Sequence, residues 1–181
     1  QDIGDYFVLN ISCPNAYGGQ PFSEKKRYEK LLKAVSLLKL KKPIFVKLSP
    51  DLTYEEIDDI LAISKHYSIS GFICTNLTKD KRFLSGGISG KSLEKKSDDI
   101  LAYVYKKGKG KFILIGLGGV FNVDDAYRKI KLGANLVQLV TGMIFEGPGL
   151  IGEINLGLAR RLKRDGFSSI SQAVGTGISK E

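Results

Sequence analysis

The chain has 181 residues, with 28 Lys or Arg against 19 Asp or Glu for a formal net charge of +9, and 43% of it is hydrophobic. This is one domain's worth of sequence or part of a larger domain, too apolar to be disordered and long enough to bury a core. Two cysteines and one histidine exclude a disulfide scaffold and an ordinary Cys/His zinc site, no apolar run approaches the roughly 18 residues that span a bilayer, and the N-terminus does not read as a signal peptide.

Five short apolar, β-branched runs recur, at residues 6–12, 43–49, 71–76, 112–118 and 136–142, each followed by a helical pattern. After the first run, Tyr28, Leu31, Leu32, Val35 and Leu38 share one helical face. Thr53 with Glu56 three residues later forms a capping box, and the helix it opens carries Ile57, Ile60 and Leu61 on its buried side. Asn122, followed by Asp124 and Asp125, starts a helix that stops at Gly133. The last long helix presents Leu150, Ile151, Ile154, Leu158 and Leu162 and breaks at Asp165-Gly166.

Five β/α units in series predict a parallel sheet buried by helices. Two closures fit: an open flavodoxin-like sheet, or part of a (β/α)8 TIM barrel, which needs about 250 residues. The first residue is not Met and a buried-type strand begins by residue 6, as in a chain cut from a longer protein. The reading is therefore that residues 1–181 are the C-terminal part of one barrel domain, its last five units, with three units missing upstream.

Polar groups in buried parallel strands are costly, so their positions are informative. By the period-two rule Val8, Asn10 and Ser12 share a face, as do Phe45, Lys47 and Ser49, and as do Phe72, Cys74 and Asn76. Each strand thus carries its polar group toward the C-terminal end, where barrels and open α/β sheets place their sites, so Asn10, Lys47 and Asn76 converge on one ligand. An ammonium at a barrel mouth needs an anionic partner or a lowered pKa, and an anionic cofactor would supply that partner for Lys47.

Gly118-Gly119 after the fourth run and Thr141-Gly142 after the fifth bring bare backbone N–H groups to the tops of consecutive strands, the usual phosphate-binding place of barrels. The SGGISG stretch at residues 85–90 is a third glycine-rich loop, whose Ser89-Gly90 could close over the same ligand. Cys13, on a loop at the catalytic end, could act as base or nucleophile, whereas Cys74 reads as a packed small hydrophobe and His66 as surface. The positive charge is spread over helical faces such as Lys25, Lys26, Lys30 and Lys33 and over residues 106–111 without interleaved aromatics, so no nucleic-acid partner is expected.

Six motifs then follow one another in the order seen in dihydroorotate dehydrogenases: NISCPN (10–15), VKLSPDLT (46–53), CTNLT (74–78), GGISGKSL (86–93), IGLGGV (115–120) and GANLVQLVTGMIFEGP (133–148). The chain resembles the C-terminal part of that family's FMN-containing barrel, and the family's N-terminal motifs are absent. GGISGKSL, LSPDLT, LVQLVTG and residues 166–175 are more similar to the quinone-using, membrane-associated class 2 than to the soluble class 1.

The resemblance implies oxidation of dihydroorotate to orotate in de novo pyrimidine (UMP) synthesis: a base removes the C5 proton, C6 gives hydride to FMN, and a quinone takes the electrons. It implies that Cys13 is the base and that Asn10, Asn15 and Asn76 bind the substrate, with Leu77 at a position where threonine usually helps. It places Asn10, Lys47, Thr75, Ser89, Gly90, Gly118, Gly119, Val140 and Thr141 at the FMN and its phosphate. It further implies peripheral contact with a membrane through the missing N-terminal region, on the cytoplasmic side of the inner membrane in a bacterium. Three positions depart from class 2: Cys13 stands for serine, Leu77 for threonine and Val140 for tyrosine.

Other readings make different predictions. A class 1-like enzyme would use fumarate or NAD. A tRNA dihydrouridine synthase-like flavoenzyme would use the loop cysteine and the basic surface, but the asparagine set suits a small carboxylated ring better. A dihydropyrimidine dehydrogenase-like domain would bring iron–sulfur modules that two cysteines do not support. A five-stranded flavodoxin-like binding module would be no enzyme.

Overall fold

A computed structural model describes residues 3–13, 21–79 and 86–179. Five strands, β1 (Phe7–Asn10), β2 (Ile44–Lys47), β3 (Gly71–Cys74), β4 (Ile113–Leu117) and β5 (Leu136–Gln138), form one parallel sheet in the sequential order β1-β2-β3-β4-β5. The helices are α1 (Lys25–Ser36), α2 (Tyr54–Ser64), α3 (Glu94–Gly108), α4 (Val123–Lys131), α5 (Thr141–Glu146), α6 (Gly149–Arg164) and α7 (Ile170–Ala173). Each strand is shorter than the apolar run that announced it, because the last residues of each run turn out of the ladder into the loops.

The order decides between the two closures. A flavodoxin-like sheet runs 2-1-3-4-5 with helices on both faces, whereas sequential order with right-handed crossovers puts every helix on one face. The register agrees: Leu9, Val46, Phe72 and Leu114 stand in one row and join the main core under the helices, with Tyr28, Leu32, Ile57, Ile60 and Leu101. The opposite face carries a separate small cluster of Phe45, Ile73, Ile115 and Leu117. The fold is therefore five consecutive units of a β/α barrel, and the flavodoxin-like alternative is excluded.

Local signals behave as expected where a cap or a turn carries them. Thr53 Oγ1 accepts from the Glu56 N–H at 3.2 Å while the Glu56 carboxylate accepts from the Thr53 N–H at 2.8 Å, a reciprocal cap worth about 1 kcal/mol. Asn122 caps α4 by accepting from the Asp125 N–H at 2.9 Å. α1 ends at Ser36, so Leu38, expected on its buried face, is 62% exposed; Ile151 of α6 is likewise exposed. Among the described residues no helix is long and apolar enough to cross a membrane.

Candidate active site

Asn10 ends β1 and sits beside Lys47, which ends β2, in register and on the same face. Just beyond β1, the fully buried Ser12 turns its hydroxyl onto Asn10 Oδ1, at 2.9 Å. The same hydroxyl accepts from Asn76 Nδ2 at 3.0 Å, and the Ser12 carbonyl accepts from it at 3.1 Å. Asn76 itself is fixed at both ends: its N–H donates to the Leu48 carbonyl at 2.9 Å and its Oδ1 accepts from the Leu77 N–H at 2.8 Å. Ser12 is thus the pin between the two asparagines, a part the sequence reading left out.

The third strand corrects the period-two assignment. Ile73, not Phe72 or Cys74, shares the face of Lys47, and Phe72 and Cys74 lie in the core under the helices. All four residues of β3 are buried, so no apolar/polar asymmetry marked which face was which. Asn76 reaches the site from the turn after the strand. Cys74 is buried, and burial pushes its thiol up to about 12 against the opposing field of Lys129, which leaves it unreactive.

Lys47 is half-buried. Burial lowers the pKa of its ammonium below the usual lysine value, and the neighbouring Cys13 thiol opposes that shift, which places the loop cysteine within electrostatic reach of the strand-end lysine. Both cysteines are free.

Over the ends of β2 to β5 opens a cleft of about 250 Å³. Lys47, Thr75, Asn76, Leu77, Ser89, Gly90, Gly118, Gly119, Val140 and Thr141 line it, together with an apolar set the sequence reading missed, Leu93, Leu117, Phe121 and Leu139. Asn10 and Cys13 flank it on the β1 side, joined to it through Asn76 and Lys47. Asn15 and Ser85 lie outside the described residues.

The loops around the cleft are held to one another. Thr78 and Ile88 exchange both backbone hydrogen bonds, at 3.0 and 2.8 Å, closing the base of the excursion after β3. Asp51 anchors that base, accepting from Thr78 Oγ1 at 2.5 Å and from the Lys79 N–H at 3.2 Å while pairing with Lys96. Burial raises its pKa, but these bonds outweigh burial and hold it below the usual carboxylate value. The excursion returns Ser89 to within 3.0 Å of Thr141 Oγ1. Gly119, at φ +74°, is pressed so closely on α3 that a Cβ would lie 2.7 Å from Glu94 Cα, so only glycine leaves its backbone bare to the cleft.

The sequence model of the family described as dihydroorotate dehydrogenase matches residues 1–162. The chain belongs to the dihydroorotate dehydrogenase family. Its relatives in that family include the dihydroorotate dehydrogenase (quinone) of Trichodesmium erythraeum (strain IMS101), 40% identical across 97% of this chain and 50% of that protein. The protein of the same name from Anaeromyxobacter dehalogenans (strain 2CP-C) is 39% identical across 94% of this chain and 50% of its own length. Among solved structures, the ligand-free dihydroorotate dehydrogenase of Eimeria tenella superposes with a TM-score of 0.89 at 28% identity, over 97% of this chain and 56% of that one. The chain spans about half the length of the family members it matches.

Proposed function

We propose that the protein oxidises dihydroorotate to orotate with FMN as hydride acceptor and a quinone as final electron acceptor, in a barrel completed by units outside this chain. One observation carries the reading: a half-buried lysine, a loop thiol, two pinned asparagines and three glycine-rich loops meet around one cleft. The names of the family relatives support it.

The residues present fit FMN. Leu93, Leu117, Phe121 and Leu139 offer an apolar wall to a ring system. The bare backbone at Gly90 and Gly118-Gly119, with the Ser89 and Thr141 hydroxyls, suits a phosphate, and the Val140 side chain adds no polar group to it. Bound FMN supplies a two-electron acceptor that no side chain of the protein offers.

The chain's own residues do the rest. Asn10 and Asn76 are held by Ser12, and since both Asn76 Nδ2 hydrogens go to Ser12, Asn10 orients a planar, carboxylated ring through its Nδ2 and Asn76 through the remaining lone pair of its Oδ1, a pre-set pair that costs little ordering on binding. Leu77 offers no hydroxyl where the relatives' usual threonine would, so one hydrogen bond of about 0.5–1.5 kcal/mol is missing. Cys13 Sγ, as thiolate, accepts the substrate C5 proton. Lys47, close to Cys13, stabilises negative charge at the reacting centre.

The test is product formation. The full-length gene product, given dihydroorotate and a short-chain quinone, should make orotate and quinol in equal amounts, and fumarate or NAD should not replace the quinone. Orotate formed only with fumarate or NAD would overturn the acceptor, and no orotate with any of them would overturn the reaction.

A further inference from the structure

Behind the cleft, on the helix side of the sheet, the buried Lys129, Asp98 and Asp125 join the more exposed Arg128 and Lys91 in a network that the proposed reaction does not use. Lys129 of α4 is 0% exposed. Its ammonium donates to the Asp98 carboxylate at 2.7 Å and to Ser97 Oγ at 3.0 Å. Ser97 in turn donates to the Leu117 carbonyl at 2.5 Å, the last carbonyl of β4 before Gly118, which also accepts from the Thr75 N–H at 2.8 Å. The lysine stem runs under Gly116, where a Cβ would lie 2.8 Å from Lys129 Cδ.

A second arm continues from Asp98. Arg128 donates to it through Nε at 2.8 Å and to Asp125 at 3.1 Å. Asp125 accepts from the Phe121 N–H at 3.0 Å and from Lys91 Nζ at 2.8 Å. Asp125, Arg128 and Lys129 stand at i, i+3 and i+4 and so face α3 together. One connected set of side chains therefore grips both ends of the Gly118–Phe121 turn and the residue after Gly90.

A buried ion pair adds little net stability over apolar side chains of similar volume, so what this network contributes is a fixed spacing between two loops. We propose that Lys129 and Arg128 are positioning residues for the phosphate end of the cofactor: acting through Ser97, Asp98 and Asp125, they set the distance between the Gly118-Gly119 and Ser89-Gly90 backbones that a phosphate bridges. The inference rests on the flavin reading of the cleft. It assigns the network to the phosphate and not to the ring system.

Riboflavin, which has the ring and no phosphate, separates the two. Dissociation constants for FMN and riboflavin are measured by flavin fluorescence on full-length wild type, Lys129→Met and Arg128→Met, after removal of bound flavin. Both variants should weaken FMN by about tenfold or more, the scale of one hydrogen bond to a charged group, with riboflavin held within about twofold of wild type. Arg128 is partly exposed, so its variant tests the network even if Lys129→Met fails to fold. Equal loss of both flavins, or loss of neither, in a folded Arg128→Met would overturn the assignment while leaving the flavin reading intact. A wild type that binds neither flavin would overturn both.

Discussion

Replacing Gly119 by alanine moves the proposed phosphate cradle without touching a reactive group. The alanine must hold φ +74°, which costs an L-residue about 1–2 kcal/mol. Its Cβ would also sit 2.7 Å from Glu94 Cα, and carbon atoms settle at about 3.5–4.0 Å, so the turn must withdraw from α3 by about 1 Å. The Phe121 N–H to Asp125 bond, at 3.0 Å, is the first contact strained by that withdrawal. If the cradle loses one charge-assisted hydrogen bond of about 1.5–3 kcal/mol, FMN affinity falls by roughly 10–150-fold. Fluorescence titration of the full-length variant with FMN, alongside urea unfolding, reads both quantities. A variant that binds FMN within about twofold of wild type would refute the reasoning, because the Gly119 backbone would then not face the cofactor.

Cys13→Ala should keep bound FMN and lose about 10²–10⁴-fold in the rate of flavin reduction by dihydroorotate in stopped flow, with Cys13→Ser retaining a slower reaction of shifted pH optimum; reduction at the wild-type rate in the alanine variant would remove Cys13 as the base. Asp51→Asn, which weakens the anchor of the excursion after β3, should cost about 1 kcal/mol in urea unfolding, a value discounted for partial exposure, and an unchanged midpoint would show that the anchor is not used. Asp51 and Asp125 are both held below the usual carboxylate value: burial raises each, but hydrogen bonds from Lys96 and Thr78 at the first, and from Lys91, the Phe121 N–H and Arg128 at the second, outweigh it. Their contribution is fully present above the unfolded value near 3.9 and is lost as pH falls through the lower folded values. Their contribution to stability in urea unfolding should therefore hold from neutrality to about pH 4.5 and fall below about pH 4, and a loss near pH 6 that Asp51→Asn abolishes would contradict this sign.

Much of this was legible in the sequence, for physical reasons that differ by residue. The five β/α units announced themselves because buried parallel strands must be apolar throughout, and the caps at Thr53 and Asn122 because few other residue types can satisfy a helix N-terminus. The same uniform burial hid the facing of β3, which the structure reverses. Leu38 failed because α1 stops at Ser36, with neither glycine nor proline at that point to mark the end.

The cleft residues were legible through their glycines and strand-end polar groups, and Leu93, Leu117, Phe121 and Leu139 were not, since an apolar residue lining a site looks like any core residue. Lys129 was the least visible of all. In the run Arg128-Lys129-Ile130-Lys131 it reads as one more surface lysine. The signal lay in its spacing from Ala126 and Ile130, both buried, and in the bare Gly116 opposite.

In the proposed reaction this cleft passes a hydride from dihydroorotate to a flavin. The most direct measurement is the visible absorption of the full-length protein, recorded anaerobically before and after dihydroorotate is added. The expected result is a flavin spectrum that bleaches on addition and returns when a quinone follows. A bound flavin that stays oxidised in excess dihydroorotate would contradict the reaction, and a protein that carries and binds no flavin would contradict the cleft itself.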